Sequence, residues 1–223
     1  RSPNPHSNAY IAMAVSYMSM LDGILYAVNN NKTEEDLLKE LSKQYGEDSD
    51  YLEKNRSYRS EDDVFEDFTE EERNKMYGTA PATIYENLSA LDKYPEKINV
   101  LKRNDVLTDQ LINSFKMATL QRWCTEIGNR IINKYTHEIR NFKPLHSLDK
   151  ALDLDVSNWM KINELRHYIM KDSYTSKSLF TRIKSAFIDE DYSSASKLYL
   201  ELESKMEELR NLYSSYKKNL LDI

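Results

Sequence analysis

The sequence predicts an all-α protein, and three observations carry that expectation. Its 223 residues include only four Gly and five Pro. That is too few for the turns of a β-sandwich or the strand-to-helix glycines of a doubly wound α/β fold. From Glu96 to Lys143 there is no proline and a single glycine, Gly128. The C-terminal segment carries apolar residues in an unbroken heptad pattern. The expected architecture is a helical bundle of three to four long helices with an irregular acidic N-terminal third. It is read as a single domain over 1–223, with shorter helices and an acidic loop (47–60) in 8–94 and the long-helix bundle in 96–223.

The elements follow from caps and periodicity. Tyr10 to Val28 is apolar on every side, so a helix from about Asn8 to Val28, buried nearly all round, is expected. Asp22, Gly23, Ser16 and Ser19 at its middle, and the absence of a flanking Lys/Arg cluster, argue against membrane insertion or a signal peptide. Thr33-Glu34-Glu35-Asp36 opens a second helix that would bury Leu37, Leu38 and Leu41 before Gly46. Residues 47–59 lack apolar periodicity and read as an exposed loop. Ser60 is expected to cap a helix over Glu61–Phe68. Thr69-Glu70-Glu71-Glu72 is a capping-box pattern that Gly78 terminates. Pro81 suits a first helical turn, with Ile84, Leu88 and Leu91 on one face up to Pro95.

Beyond Pro95 the pattern lengthens. Leu107, Leu111, Phe115, Ala118, Leu120, Trp123, Ile127, Ile131, Tyr135, Ile139 and Phe142 form a stripe at three- and four-residue steps. One helix of about 55 Å from Asp105 to Pro144 is expected, with a basic back face of Lys116, Arg122, Arg130, Lys134 and Arg140. Ser147 or Asp149 starts the next, with Leu152, Val156, Trp159, Ile162, Tyr168 and Ile169 inward. A short helix around Ser178–Ile188 follows. The last carries Ala195, Tyr199, Leu202, Met206, Leu209, Tyr213, Tyr216 and Leu220 at alternating steps of four and three. Packing against the chain's own long helix explains this seam, and a dimerising coiled coil is the alternative.

Charge narrows the function. The net charge is −6 with a pI near 5.4, which disfavours binding to duplex nucleic acid. Residues 1–78 hold nine basic against seventeen acidic side chains, and twelve of those acids lie in 47–72. The lone Cys124 excludes an intrachain disulfide and leans toward a reducing, cytoplasmic compartment. The chain opens at Arg1 without an initiator Met, as a processed product or fragment would.

Chemistry-bearing motifs are sparse. Glu164 and His167 have the Glu-x-x-His spacing of di-iron bundles, but no second such pair exists, so a solvated Glu and a polar-face His are the expectation. No Cys pair, no His-x-x-x-His, no nucleophile elbow and no phosphate-cradling glycine loop is present. Cys124 reads as a small buried hydrophobe. The sequons at Asn31, Asn55 and Asn87 are no more than chance supplies. Ser60 and Thr69 precede acids as phosphosites do, but helix N-caps explain the same residues. No cofactor and no metal is expected, and the chain is read as a non-enzyme.

One segment stands out. Residues 47–72 interleave acids with Tyr51, Tyr58, Phe65 and Phe68, and a merely solvated loop needs no such aromatics. Either the basic face of the long helix or a protein with a basic surface would cover it. The expected function is a non-catalytic protein–protein interaction module, an adaptor or scaffold. Its partner-binding residues would be Tyr51, Tyr58, Glu61, Asp62, Asp63, Phe65 and Phe68. The rivals are a secreted or surface-exposed pathogen protein that binds a host factor, and an all-helical enzyme or lipid carrier whose site is not visible in sequence.

Overall fold

The computed structural model describes residues 8–145 and 147–218. Arg1–Ser7, with His6, lie outside the described residues, as do His146 and the seam residue Leu220. The described residues are helical and contain no strand. The chain divides into two compact units. Of the described residues, the first joins those in 8–81 to 90–113, and the second joins 82–89 to those in 114–218.

In the first unit, helix α1 (Ala9–Asn29) is capped by the Asn8 side chain, which accepts from the amides of Tyr10 and Ile11. It packs on α5 (Pro95–Lys102). The expectation that α1 is buried nearly all round is corrected: Met18 alone is buried, and the outward apolar side chains stay exposed. An apolar helix is covered only where a neighbour faces it, and α5 reaches one side. Helix α2 (Glu34–Leu41) opens with the capping box between Thr33 and Asp36. It half-buries Leu37 but leaves Leu38 and Leu41 exposed, contrary to expectation. Helix α3 (Glu70–Tyr77) starts with the Thr69–Glu72 capping box and ends at Gly78 with φ +80°.

No helix forms over 61–68. Asp63 Oδ1 accepts from the amides of Phe65 and Glu66, and Asp67 Oδ2 from the amide of Asp63. Short acidic side chains that bond their own backbone favour an isolated turn over a continuing helix. Helix α4 (Ile84–Lys93) begins after Thr83, whose Oγ1 accepts from the Glu86 amide, so Pro81 lies outside it.

The expected long helix is present, starting at Asp109 rather than Asp105. Asn104 and Asp105 adopt φ of +53° and +57°, outside the right-handed region, and Thr108 Oγ1 accepts from the Leu111 amide at the true start. Helical backbone then runs through α6 (Asp109–Thr125), a π-helical turn (Glu126–Ile131) and α7 (Ile132–Asn141), about 50 Å in all. The π turn changes the register. The buried residues run Leu120, Trp123, Ile127, Ile132, Tyr135 and Ile139, so Ile132 takes the inward place expected of Ile131. A five-residue step is the repeat of a π turn. Leu111 and Phe115 are partly exposed rather than inward.

Helices α8 (Asp153–Met170), α9 (Leu179–Ile188) and α10 (Tyr192–Lys218) complete the second unit. Leu152 and Tyr168, expected inward, are largely exposed. Helix α10 packs chiefly on α8 and α9. Its seam residues Ala195, Leu202, Met206, Leu209 and Tyr216 are buried, with Tyr199 and Tyr213 half-buried. Ile162 and Ile169 of α8, Leu179 and Ile183 of α9, and Ile127 and Ile139 complete the apolar core. Polar ties hold α10 to the long helix. Tyr135 Oη meets both Glu203 carboxylate oxygens at 2.9 and 2.8 Å, and Arg210 forks onto Glu138 at 2.6 and 2.9 Å. Thr83 and Ser196 share a buried hydroxyl–hydroxyl bond of 2.7 Å, which ties 82–89 into this unit.

Candidate functional site

The acidic–aromatic segment 47–72 lies in the first unit and is fastened from beneath. The buried Lys43 ammonium donates to the carbonyls of Glu47 (3.3 Å), Lys54 (3.1 Å) and Arg56 (2.8 Å). The Gly46 amide donates to the Lys54 carbonyl, and the Ser57 amide to the Met76 carbonyl of α3. The Arg56 guanidinium donates to the Tyr77 carbonyl. These bonds fix an irregular stretch that has little apolar core of its own.

The seven residues expected from sequence divide by what they touch. Tyr51 stacks on Tyr26 of α1 at 4.3 Å between ring centroids and donates its hydroxyl to Asp22 at 2.7 Å. Burial of the phenol, reinforced by the Asp22 carboxylate, pushes its pKa up to about 12. Tyr51 is therefore tied to α1, though part of its ring remains exposed. Tyr58 is partly exposed, accepts from the Glu53 amide at 3.1 Å, and lies under the Lys43 ammonium. Phe65 is the most exposed of the four aromatics at 64%, with the Arg73 guanidinium 5.3 Å from its ring. Phe68 is half-buried, and its carbonyl accepts from Arg73.

The acids divide in the same way. Asp63 and Asp67 hold the turn, and Glu72 caps α3. The Thr69 amide and hydroxyl hold the Glu72 carboxyl below its usual range. Glu61 pairs with Arg59 at 2.7 Å, while Asp62 and Glu66 are exposed. Other acids meet cations of the same unit: Asp50 with Lys32, Asp48 with Lys54, and Glu53 with Lys97. Within 58–68 the outward carboxylates are thus Asp62, Glu66 and Glu61, the last also paired with Arg59, while Asp63 serves the turn and Glu70 and Glu71 are exposed on α3.

The sequence reading missed Lys43, whose three acceptors are backbone carbonyls that leave no pattern in side-chain chemistry. It also missed the exposure of α1, which depends on how much surface the neighbouring elements supply. Among the described residues, no group of three or more His, Cys, Asp or Glu side chains is placed to hold a metal ion. No protein-family model, curated protein or solved structure matches the chain.

Proposed function

We propose that the chain is a non-catalytic interaction module that docks a basic protein surface on residues 58–68. The supporting observation is a stretch fastened by Lys43 up to Arg56 and by the Asp63 and Asp67 turn beyond it, which displays Tyr58 and Phe65 together with the outward carboxylates of Glu61, Asp62 and Glu66. Rigid aromatic anchors bind at low entropic cost, and a ring of acids steers a cationic partner.

The test is affinity capture followed by titration of the captured protein. Three chains are compared: wild type, Phe65→Ala, and a variant with Glu61→Gln, Asp62→Asn and Glu66→Gln. Asp63, Asp67 and Glu72 stay intact because they hold the backbone. The proposal expects Phe65→Ala to cost about 1–3 kcal/mol and the neutralised chain to lose most of the salt dependence. Equal affinity for all three chains would overturn it.

A further inference from the structure

Helix α1 carries a second surface, outside the acidic–aromatic segment. Its exposed apolar residues are Tyr10, Met13, Tyr17, Met20, Leu21, Ile24 and Val28, with Tyr10 82% and Tyr17 67% exposed. They are not scattered. Tyr10, Met13, Tyr17, Met20, Ile24 and Ala27 follow steps of 3, 4, 3, 4 and 3, the a/d spacing of a two-helix seam, with Leu21 and Val28 along one edge. The opposite side faces the protein: Met18 is buried, and Asp22 is held by Tyr51 and Arg103. At about 150–250 Å² for a whole large side chain, the stripe exposes on the order of 800 Å². That is what one partner contributes to a stable complex, and more than the roughly 300–600 Å² patch of an ordinary monomer.

We propose that this stripe is covered by α1 of a second copy, running antiparallel. The order of side chains supports that occupant. A two-fold axis crossing the helix between Met18 and Ser19 places Tyr10 opposite Ala27, Met13 opposite Ile24, and Tyr17 opposite Met20 of the other copy. Each large ring then meets a small or pliable side chain, and thioether–aromatic contacts form at the centre. A parallel pair would instead stack Tyr10 on Tyr10 and Tyr17 on Tyr17 and leave small Ala27 against Ala27. The stripe bears no charge, so two copies meet without like charges in the seam. A lipid surface fits less well. Helix α1 has the length and composition of a membrane span, but it has no Lys or Arg to meet anionic headgroups. Crossing a bilayer would also break the Asp22 bonds to Tyr51 and Arg103.

The test uses the full chain in sedimentation equilibrium at low and high salt. A dimer is expected, and its affinity should hold or rise with salt, because residues 1–78 carry a balance of −8 in each copy and screening relieves their repulsion. Tyr17→Glu should weaken association about a hundredfold while the helical circular dichroism stays unchanged, since residue 17 faces outward. Orientation is read in a Cys124→Ser background. Mixing Tyr10→Cys chains with Ala27→Cys chains should give a mixed disulfide under mild oxidation. Tyr10→Cys alone should give none, its two copies lying about 25 Å apart. A monomeric wild type, a dimer indifferent to Tyr17→Glu, or a Tyr10–Tyr10 cross-link would each overturn the proposal. So would a monomer that binds phosphatidylcholine vesicles through α1.

Discussion

Lys43 fastens the irregular stretch of the first unit. Its ammonium closes three carbonyls on a stretch that lacks helical hydrogen bonds. Replacing it by Met keeps the stem and removes every donor, leaving those carbonyls to find water. Lys43→Met should therefore cost about 1–3 kcal/mol and turn 47–60 into the first site of limited proteolysis; an unchanged cleavage pattern would show the clasp to be idle. Two glycines give an opposed pair. Gly78 has φ +80°, and a Cβ there would run into the Arg56 guanidinium, so Gly78→Ala should destabilise by roughly 1–2 kcal/mol. Gly128 lies in helical backbone with open space beside it, and Gly128→Ala should stabilise by about 0.5–1 kcal/mol. Thermal melts of the two variants should move in opposite directions. Gly78, the capping box at Thr69 and the helix start at Thr33 were legible in sequence because each acts within three or four residues. Lys43 was not, because its acceptors lie 4 to 13 residues away and belong to the backbone.

At the scale of elements, α1 separates apolarity from burial. Helix type and ends were legible, because composition and the Asn8 cap determine them locally. Which side is covered depends on how much partner surface exists, and α5 is only eight residues long. Two substitutions of one chemistry should therefore differ. Met18→Asp places a carboxylate at a buried side chain and should cost about 3 kcal/mol or more, whereas Leu21→Asp, at a side chain 38% exposed, should leave the helical circular dichroism and the melting of the dilute monomer nearly unchanged and act on association of two copies. Equal loss in both would show that α1 is covered on its outer side in the monomer. The long helix teaches a related lesson. Its stripe was legible to Ile127, and the π turn then moved the inward place by one residue to Ile132, a shift that an assumed period of 3.6 has no means to anticipate.

At the scale of the whole molecule, the two units differ in what holds them. The first buries Met18, Ile98 and Leu107 among polar ties, while the second packs isoleucines, leucines, Met206 and two tryptophans. Burial of apolar area dominates stability, so amide exchange should report lower protection in 9–77 than in α8–α10. The acid side should weaken the second unit. Arg210 holds the Glu138 carboxyl below its usual range, and the Ser178 side chain and amide do the same for Asp172. Depressed folded values contribute stability above the unfolded pKa that is lost as pH falls through the folded one. Melting temperature should thus stay level from neutrality and drop below about pH 4. For Tyr51, raised to about 12, the sign reverses: its contribution is complete below the unfolded value of about 10 and lost as pH rises toward 12. The acidic first third was visible in composition. Its interruption by 82–89 was not, because the Thr83–Ser196 bond joins residues 113 apart. That bond bears on the order of synthesis. Emerging N-terminus first, residues 82–89 leave the ribosome long before α10 exists, while 90–113 must still come back to complete the first unit. Emergence of α10, rather than of any earlier helix, is therefore the moment at which the second unit can close.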